Sequence, residues 1–177
     1  MKRPSPTAQE RTFAENEIIV SKTDVKDRIT YVNDVFCKVG LYDEADVLGQ
    51  LHSVVRHPDM PRAIFHLLWQ RIQAGQEIFA YVKNLAKNGD YYWVLAHVTP
   101  SHDLQGRLEG YHSNRRVPAR QALVDIEPLY RRLCDIEERH PDRKQGMHAA
   151  LEAIESDLKA RHLDYDRYVL GLAAIGR

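Results

Sequence analysis

"EIFAYVKNLAKNGDYYWVLAHVTPSHDLQGRLEGYHSNRR", residues 77–116, holds three strand-like runs separated by two turns. Residues 77–86 and 91–102 are rich in aromatic and β-branched side chains, which suit a pleated, half-buried surface. Between them stands Asn88-Gly89, a strong hairpin signal, because glycine reaches the positive φ that tight turns demand. "DLQGR" (103–107) turns the chain once more and residues 107–116 return. The stretch predicts a three-stranded antiparallel meander.

Upstream, "EIIVSKTD" (17–24) and "RITYVN" (28–33) read as two further strands, with "TDVKDR" (23–28) as their turn. Short helical segments follow at 34–40 and 42–49, each ending in glycine, Gly40 and Gly49. Pro61 suits the first turn of a longer helix capped by Asp59 or Met60, in which Ile64, Leu67, Leu68, Arg71 and Ile72 share one face. Two strands, short helices, then three strands predict an α+β fold. Its five-stranded antiparallel sheet takes the order 2-1-5-4-3, with helices over one face and a concave interior.

Residues 1–16 are polar, include Pro4 and Pro6, and read as a loose N-terminal cap. Residues 17–117 are the sheet domain. From Pro118 the texture becomes helical: "ARQALVDIEPLYRRLCDIEE" (119–138) is amphipathic, with Pro128 predicted to kink or split it, and residues 148–163 and 164–176 repeat the pattern. Residues 118–177 form a helical C-terminal extension whose apolar faces need a cover: the sheet, each other, or a partner.

Of 177 residues, 44% are hydrophobic and 28% charged, with formal net charge zero. This is ordinary for a globular protein and gives no reason to expect affinity for nucleic acid or acidic membranes. No apolar run is long enough for a membrane helix, and "MKRPSPTAQER" lacks a signal core, so no membrane insertion and a cytoplasmic location are expected. The cysteines, Cys37 and Cys134, read as thiols in a reducing compartment.

The tetrapeptide Arg-His-Pro-Asp occurs at 56–59 and at 139–142. Its flanks differ, so it is no internal repeat. At 139–142, Pro141 stops one helix and Asp142 caps the next. At 56–59 the same capping logic applies, yet Arg56 and His57 sit where short helices would roof the cavity, and a ligand role stands beside the structural one.

The fragments "ITYVNDVF" (29–36), "RHPDMP" (56–61), "VKNLAKNGD" (82–90), "YYWV" (91–94) and "GYHSNRR" (110–116) occur together and in order. This set resembles the PAS domain of the bacterial aerotaxis receptors, and the resemblance spans residues 17–130. It implies a PAS fold that binds FAD and reports redox state through the flavin. It ties Arg56, His57 and Asp59 to flavin binding, matches Trp69 to the tryptophan ending the long helix, and matches Asn84 to a flavin-contacting asparagine. Asn33 matches the asparagine that opens the first short helix. The chemistry agrees: an Asn amide offers a donor and an acceptor to a ring edge, Arg56 and protonated His57 suit an anionic pyrophosphate, and Trp69 offers a stacking face. The chain departs from the family at Ile78, Ala80, Leu85 and Asn114, which predicts a narrower or differently lined pocket.

Each residue has a plainer role beside this one. Trp69 packs equally well in a core, Asn84 ends a strand before a turn, and Trp93 is core or sheet surface and a secondary candidate. His52, His97 and His112 read as half-buried filler. The expected function is a stand-alone redox or oxygen sensor of the energy-taxis type, not an enzyme. It would act as a homodimer and relay flavin state to a chemoreceptor or sensor kinase. The alternatives are a haem-binding PAS gas sensor, with His52, His57 and His66 near the roof, and a ligand-free PAS interaction module. Light-driven adduct chemistry is not expected, because "GQLHSVVRH" (49–57) contains no cysteine and Cys37 lies on an earlier helix.

Overall fold

The computed structural model describes residues 3–175; residues 1–2 and 176–177, the extreme ends of the expected cap and extension, lie outside the described residues. Strands β1 (Ile19–Asp24), β2 (Ile29–Val32), β3 (Ile78–Leu85), β4 (Tyr91–His102) and β5 (Leu108–Arg116) form one antiparallel sheet. Their order is β2-β1-β5-β4-β3, the predicted topology of an α+β PAS-like fold. The register sets Ser21 opposite Ser113, Ala96 opposite Arg115 and Ala80 opposite Ala96. Strand alternation therefore brings Ser21, Val82, Asn84, Ala96, Ser113 and Arg115 to one face.

Helices α1 (Asp34–Gly40), α2 (Glu44–Val47) and α3 (Arg62–Gln73), with a 3-10 turn at His52–Val55, accompany that face. Asn33 caps α1: its Oδ1 accepts from Phe36 N at 3.0 Å. Neither Asp59 nor Met60 caps α3. Pro61 takes the cap position with no side-chain hydrogen bond of its own. The carboxylate of Glu137, 74 residues later, accepts from Ala63 N at 2.8 Å and from Arg62 Nε at 2.9 Å. A distant acid supplies what the local sequence withholds, and this satisfies one of the N–H groups that open the helix.

The N-terminal segment is not loose. Thr7 N donates to Gly89 O, Arg11 N to Tyr91 O and Tyr91 N to Gln9 O, at 2.7, 2.7 and 3.0 Å. A Cβ on Gly89, where φ is +97°, would lie 2.1 Å from Ser5 O. The hairpin glycine thus admits both the turn and the N-terminal strap.

The extension comprises α4 (Arg120–Glu138), α5 (Arg143–Ala160) and α6 (Tyr165–Ile175). Pro128 does not split α4. It lies on the exposed side, where the carbonyl of Val124, deprived of its usual donor, can be hydrated. Asp142 caps α5 as expected, accepting from Gln145 N at 2.7 Å. The extension folds back onto the sheet and α3. Tyr130 on α4 donates its hydroxyl to Tyr81 O at 2.7 Å, and Arg71 on α3 pairs with Asp166 on α6 at 3.2 Å. Buried apolar residues from Phe13 to Leu172 form one cluster. This explains why β3, an edge strand, is buried on both faces, with Tyr81 fully covered.

Candidate functional site

A cavity of about 110 Å³ lies between the inner face of the sheet and α3. Val82, Ala96 and Val98 supply apolar floor, and Phe65, Leu68, Trp69 and Ile72 of α3 supply the opposite wall. Their spacing follows from one helix face meeting alternate strand positions. Polar groups enter at a few points: Asn84 from β3, Ser113 and Arg115 from β5, Ser21 from β1, His52 from the 3-10 turn and Asp27 from the β1–β2 turn.

Three of the six residues anticipated from sequence line this cavity: Arg56, Trp69 and Asn84. Asn84 is buried and its Nδ2 has no hydrogen-bond partner among the described residues. Trp69 is half-buried, edge-on to Tyr111 at 5.4 Å between centroids. Arg56 stacks its guanidinium 3.9 Å from the Phe65 ring centroid, and burial lowers its pKa. Its backbone forms an isolated bridge with Asn84, so the two residues are brought together by main chain as well as by the cavity.

The other three do not line it. His57 is buried beside the β3 edge, where its N–H donates to Lys83 O at 3.3 Å. Its Nδ1 accepts from Asp59 N at 3.1 Å, and its ring stands edge-on to Tyr91 at 6.1 Å. Burial and the neighbouring charge of Lys83 push its pKa down to about 4, so it is a neutral ring and not the cationic pyrophosphate partner anticipated. Asp59 is exposed and holds Lys83 Nζ at 2.7 Å. Asn33 is spent on the backbone: besides capping α1 it accepts from Val20 N at 3.0 Å and donates to Ile18 O at 2.8 Å. The Arg-His-Pro-Asp-Met segment thus closes the free edge of β3, with Met60 Sδ accepting from Lys83 N at 3.2 Å. Edge closure explains the motif's shape without a ligand, while Arg56 alone of it reaches the cavity.

The residues missed from sequence are Arg115, Ser113 and Ser21; His52, read there as filler or as a haem candidate, joins them. His52 is no filler. Its Nε2 lies 2.6 Å from Arg115 Nη2 and 3.2 Å from Ser21 Oγ, and burial with the Arg115 charge pushes its pKa down to about 3. Arg115 Nη2 also donates to Ser21 Oγ at 2.7 Å, and burial lowers the guanidinium to about 10. Burial pushes the Asp27 carboxyl up to about 6. The available signal was in β5: "YHSNR" places Tyr111, Ser113 and Arg115 at alternate positions, so an inward strand face carries a hydroxyl and a cation. Trp93 lies on the opposite sheet face, 6.1 Å from Tyr130, and is core between sheet and extension. His97 sits there too, 2.7 Å from Glu77 and stacked on Phe79.

This architecture, a curved antiparallel sheet with a helix-lidded cavity, matches known proteins. Residues 29–114 match the PAS fold family model. Solved structures agree on the fold: a light-oxygen-voltage domain studied with a flavin analogue covers 63% of this chain and 84% of its own, with TM-score 0.54 and 18% identity. The light-state Aureochrome1 LOV structure covers 70% and 94%, with TM-score 0.53 and 20% identity. The chain therefore carries a PAS sensor domain. That domain is of the aerotaxis-receptor type: 130 residues are 38% identical to the Aerotaxis receptor of Escherichia coli (strain K12), covering 73% of this chain and 26% of that protein. The Nitrogen fixation regulatory protein of Klebsiella pneumoniae is 32% identical over 99 residues, covering 56% of this chain and 20% of that protein. The chain thus spans about a quarter of the first relative and a fifth of the second.

Proposed function

We propose that this chain serves in the cytoplasm as a redox or oxygen sensor that binds FAD non-covalently in the cavity beneath α3. In this reading it passes the flavin state to a signalling partner, a chemoreceptor or sensor kinase, as a homodimer. The observation that carries the reading is the buried, partnerless amide of Asn84 on the floor of an apolar, sheet-backed cavity. Such a group is expensive to leave unmet and suits the polar edge of a flat ring. Trp69 offers a stacking face at the mouth. Arg56, which forms no salt bridge among the described residues, suits the anionic pyrophosphate. When bound, the flavin supplies the electron chemistry; the chain holds its ring, orients its edge and excludes water.

In this reading α3 is the relay element, and its contacts support that. α3 forms one wall of the cavity and is gripped on its other side by the extension, through Glu137 on α4 and Asp166 on α6. A displacement of α3 by the ligand loads both contacts, which gives α4–α6 differential interactions with two states of the pocket. No helix among the described residues is long and apolar enough to cross a membrane. The reading assigns the chain no reaction of its own; steady NAD(P)H consumption would overturn that.

The cavity of about 110 Å³ is below the roughly 300–1,000 Å³ of pockets for ligands this large, so in this reading its walls move apart when the ring binds. The small volume favours one second reading, a PAS interaction module with no ligand. Haem is disfavoured by geometry: His52, which lines the cavity, already engages Arg115, and His66 faces His148 at 5.4 Å. The absorption spectrum of freshly purified protein tests the proposal. A flavin spectrum that bleaches with dithionite, and is lost in Asn84→Ala while the fold persists by circular dichroism, is expected. A colourless protein that stays colourless after incubation with FAD sinks it and leaves the interaction module.

A further inference from the structure

His66 of α3 and His148 of α5 lie side by side, with ring centroids 5.4 Å apart and planes at 82°. Four other histidines are anchored one by one: His52 by Arg115, His57 by Asp59 N, His97 by Glu77 and His140 by Ile136 O. The histidines in ion pairs among the described residues are His57 and His97. His66 and His148 instead face each other across a seam between two helices. His66 is half-buried and His148 exposed, so the pair is open to ions from solvent.

The core does not account for the pair. α3 buries Ile64, Leu68 and Ile72, and α5 buries Ala150, Leu151 and Ile154; both histidines lie outside those stripes. Nor does the sensor domain account for it, because His148 lies outside the residues 29–114 that match the PAS model. The two rings meet only because the extension folds back onto α3.

Their separation carries chemical information. A ring nitrogen about 2.1 Å from a zinc ion puts its ring centroid about 3.2 Å from the metal. Two such rings at the tetrahedral angle have centroids about 5.3 Å apart, and at the right angle of a square-planar ion about 4.6 Å. The observed spacing fits the tetrahedral case, and neutral imidazole suits a borderline divalent ion. Nearby charge comes from Arg62, one turn before His66, and from Lys144 and Glu152, one turn either side of His148. Arg62 is engaged by Glu137 at 2.9 Å.

We propose that His66 and His148 form a two-imidazole site for a divalent transition ion, Zn²⁺ in the first place, at the seam between α3 and α5. The ring separation already fits, so ligation asks for side-chain rotation and no helix movement. No group of three or more His, Cys, Asp or Glu placed to hold a metal occurs among the described residues, so water completes the coordination. Two protein ligands make an exchangeable site, unlike the four of a structural zinc. An occupied site joins the extension to a wall of the cavity, and nothing in it depends on flavin.

The test uses the full chain and its His66→Gln, His148→Gln and double variants, with Zn²⁺ alone as probe and Mg²⁺ as control. Binding by calorimetric titration and melting temperature are the readouts. Zn²⁺ at tenfold its dissociation constant should raise the wild-type melting temperature by about 2–4 °C, reversibly with a chelator, and Mg²⁺ should not. Each single variant should bind Zn²⁺ at least tenfold more weakly, and the double variant no more weakly than either, because a two-point chelate is lost with its first ligand. Single variants within twofold of wild type, or a wild type that takes up no Zn²⁺, overturn the site. Losses that add up in the double variant, or an equal response to Mg²⁺, also reject it, since they show independent, adventitious binding. His148 is exposed, so its variant decides if His66→Gln does not fold.

Discussion

Arg56 and Asn84 share a backbone bridge, so the cation at the cavity mouth and the amide on its floor move with one strand edge. Residues that look equivalent in the sequence part company at this scale. Asn84 and Asn33 are both asparagines in motif positions, but Asn33 spends Oδ1 and Nδ2 on three backbone groups, whereas Nδ2 of Asn84 meets none among the described residues. The physical distinction is whether the side chain's hydrogen-bonding capacity is already consumed by main chain. Asn33→Ala should therefore cost about 2 kcal/mol, from the lost helix cap and two stranded backbone partners. Urea denaturation checks this, and ligand stoichiometry below the transition should not change. Loss of ligand from a fully folded Asn33→Ala would give that residue a binding role after all.

At the scale of the element, α3 decides the most, since one face walls the cavity and its N-terminus depends on α4. Glu137 reaches Arg62 and Ala63 because α5 lets α4 lie close: a Cβ on Gly146 would come within 2.4 Å of Glu137 O. Glu137→Ala leaves the Ala63 N–H buried without an acceptor and should destabilise by about 2 kcal/mol. Glu137→Gln should lose less, because an amide oxygen still accepts. Gly146→Ala should match or exceed Glu137→Ala, since it pushes the backbone carrying Glu137 away from α3. Chemical denaturation orders the three, and a Gly146→Ala protein as stable as wild type would mean that α4 and α5 have room to separate. The amphipathic helices of the extension were readable from periodicity. The identity of their partner was not, because an apolar face states that it must be covered and not by what.

For the whole molecule, the folded-back extension and two neutral histidines, the half-buried His52 and the buried His57, set the conditions of stability. Truncation after residue 117 would bare Tyr81, Trp93 and the Tyr81 carbonyl that Tyr130 now caps. It should give a protein that binds a hydrophobic dye and self-associates in gel filtration; a monodisperse, dye-silent product would show that the sheet domain stands alone. The pH dependence has a definite sign. His52 and His57 refuse in the fold, down to about 3 and 4, a proton that the unfolded chain accepts below about 6.5. Each therefore contributes stability that is present above about 6.5 and lost as pH falls. Asp27 works the other way: its folded carboxyl keeps a proton up to about 6 against 3.8 unfolded, so its contribution is present below 3.8 and lost as pH rises. Two histidines outweigh one carboxyl, and urea midpoints should fall between pH 6.5 and 4.5. His57→Gln should flatten that slope, and an unchanged wild-type midpoint across this window would contradict the neutral histidines.

Sequence alone determined the sheet, its order and its interior. Alternation in residues 77–116, the glycine-bearing turns and the run of short helices each depend on neighbours within a few positions, and local rules read them. Three of the residues that the family resemblance ties to a ligand, Arg56, Trp69 and Asn84, line that interior. Only the tertiary structure decided which polar groups there remain unsatisfied. His52 and Arg115 meet at 2.6 Å across 63 residues of chain, and Glu137 caps a helix 74 residues before it. Whether a hydrogen bond is made or left open depends on what the fold brings within about 3 Å, a distance that spacing along the chain does not encode.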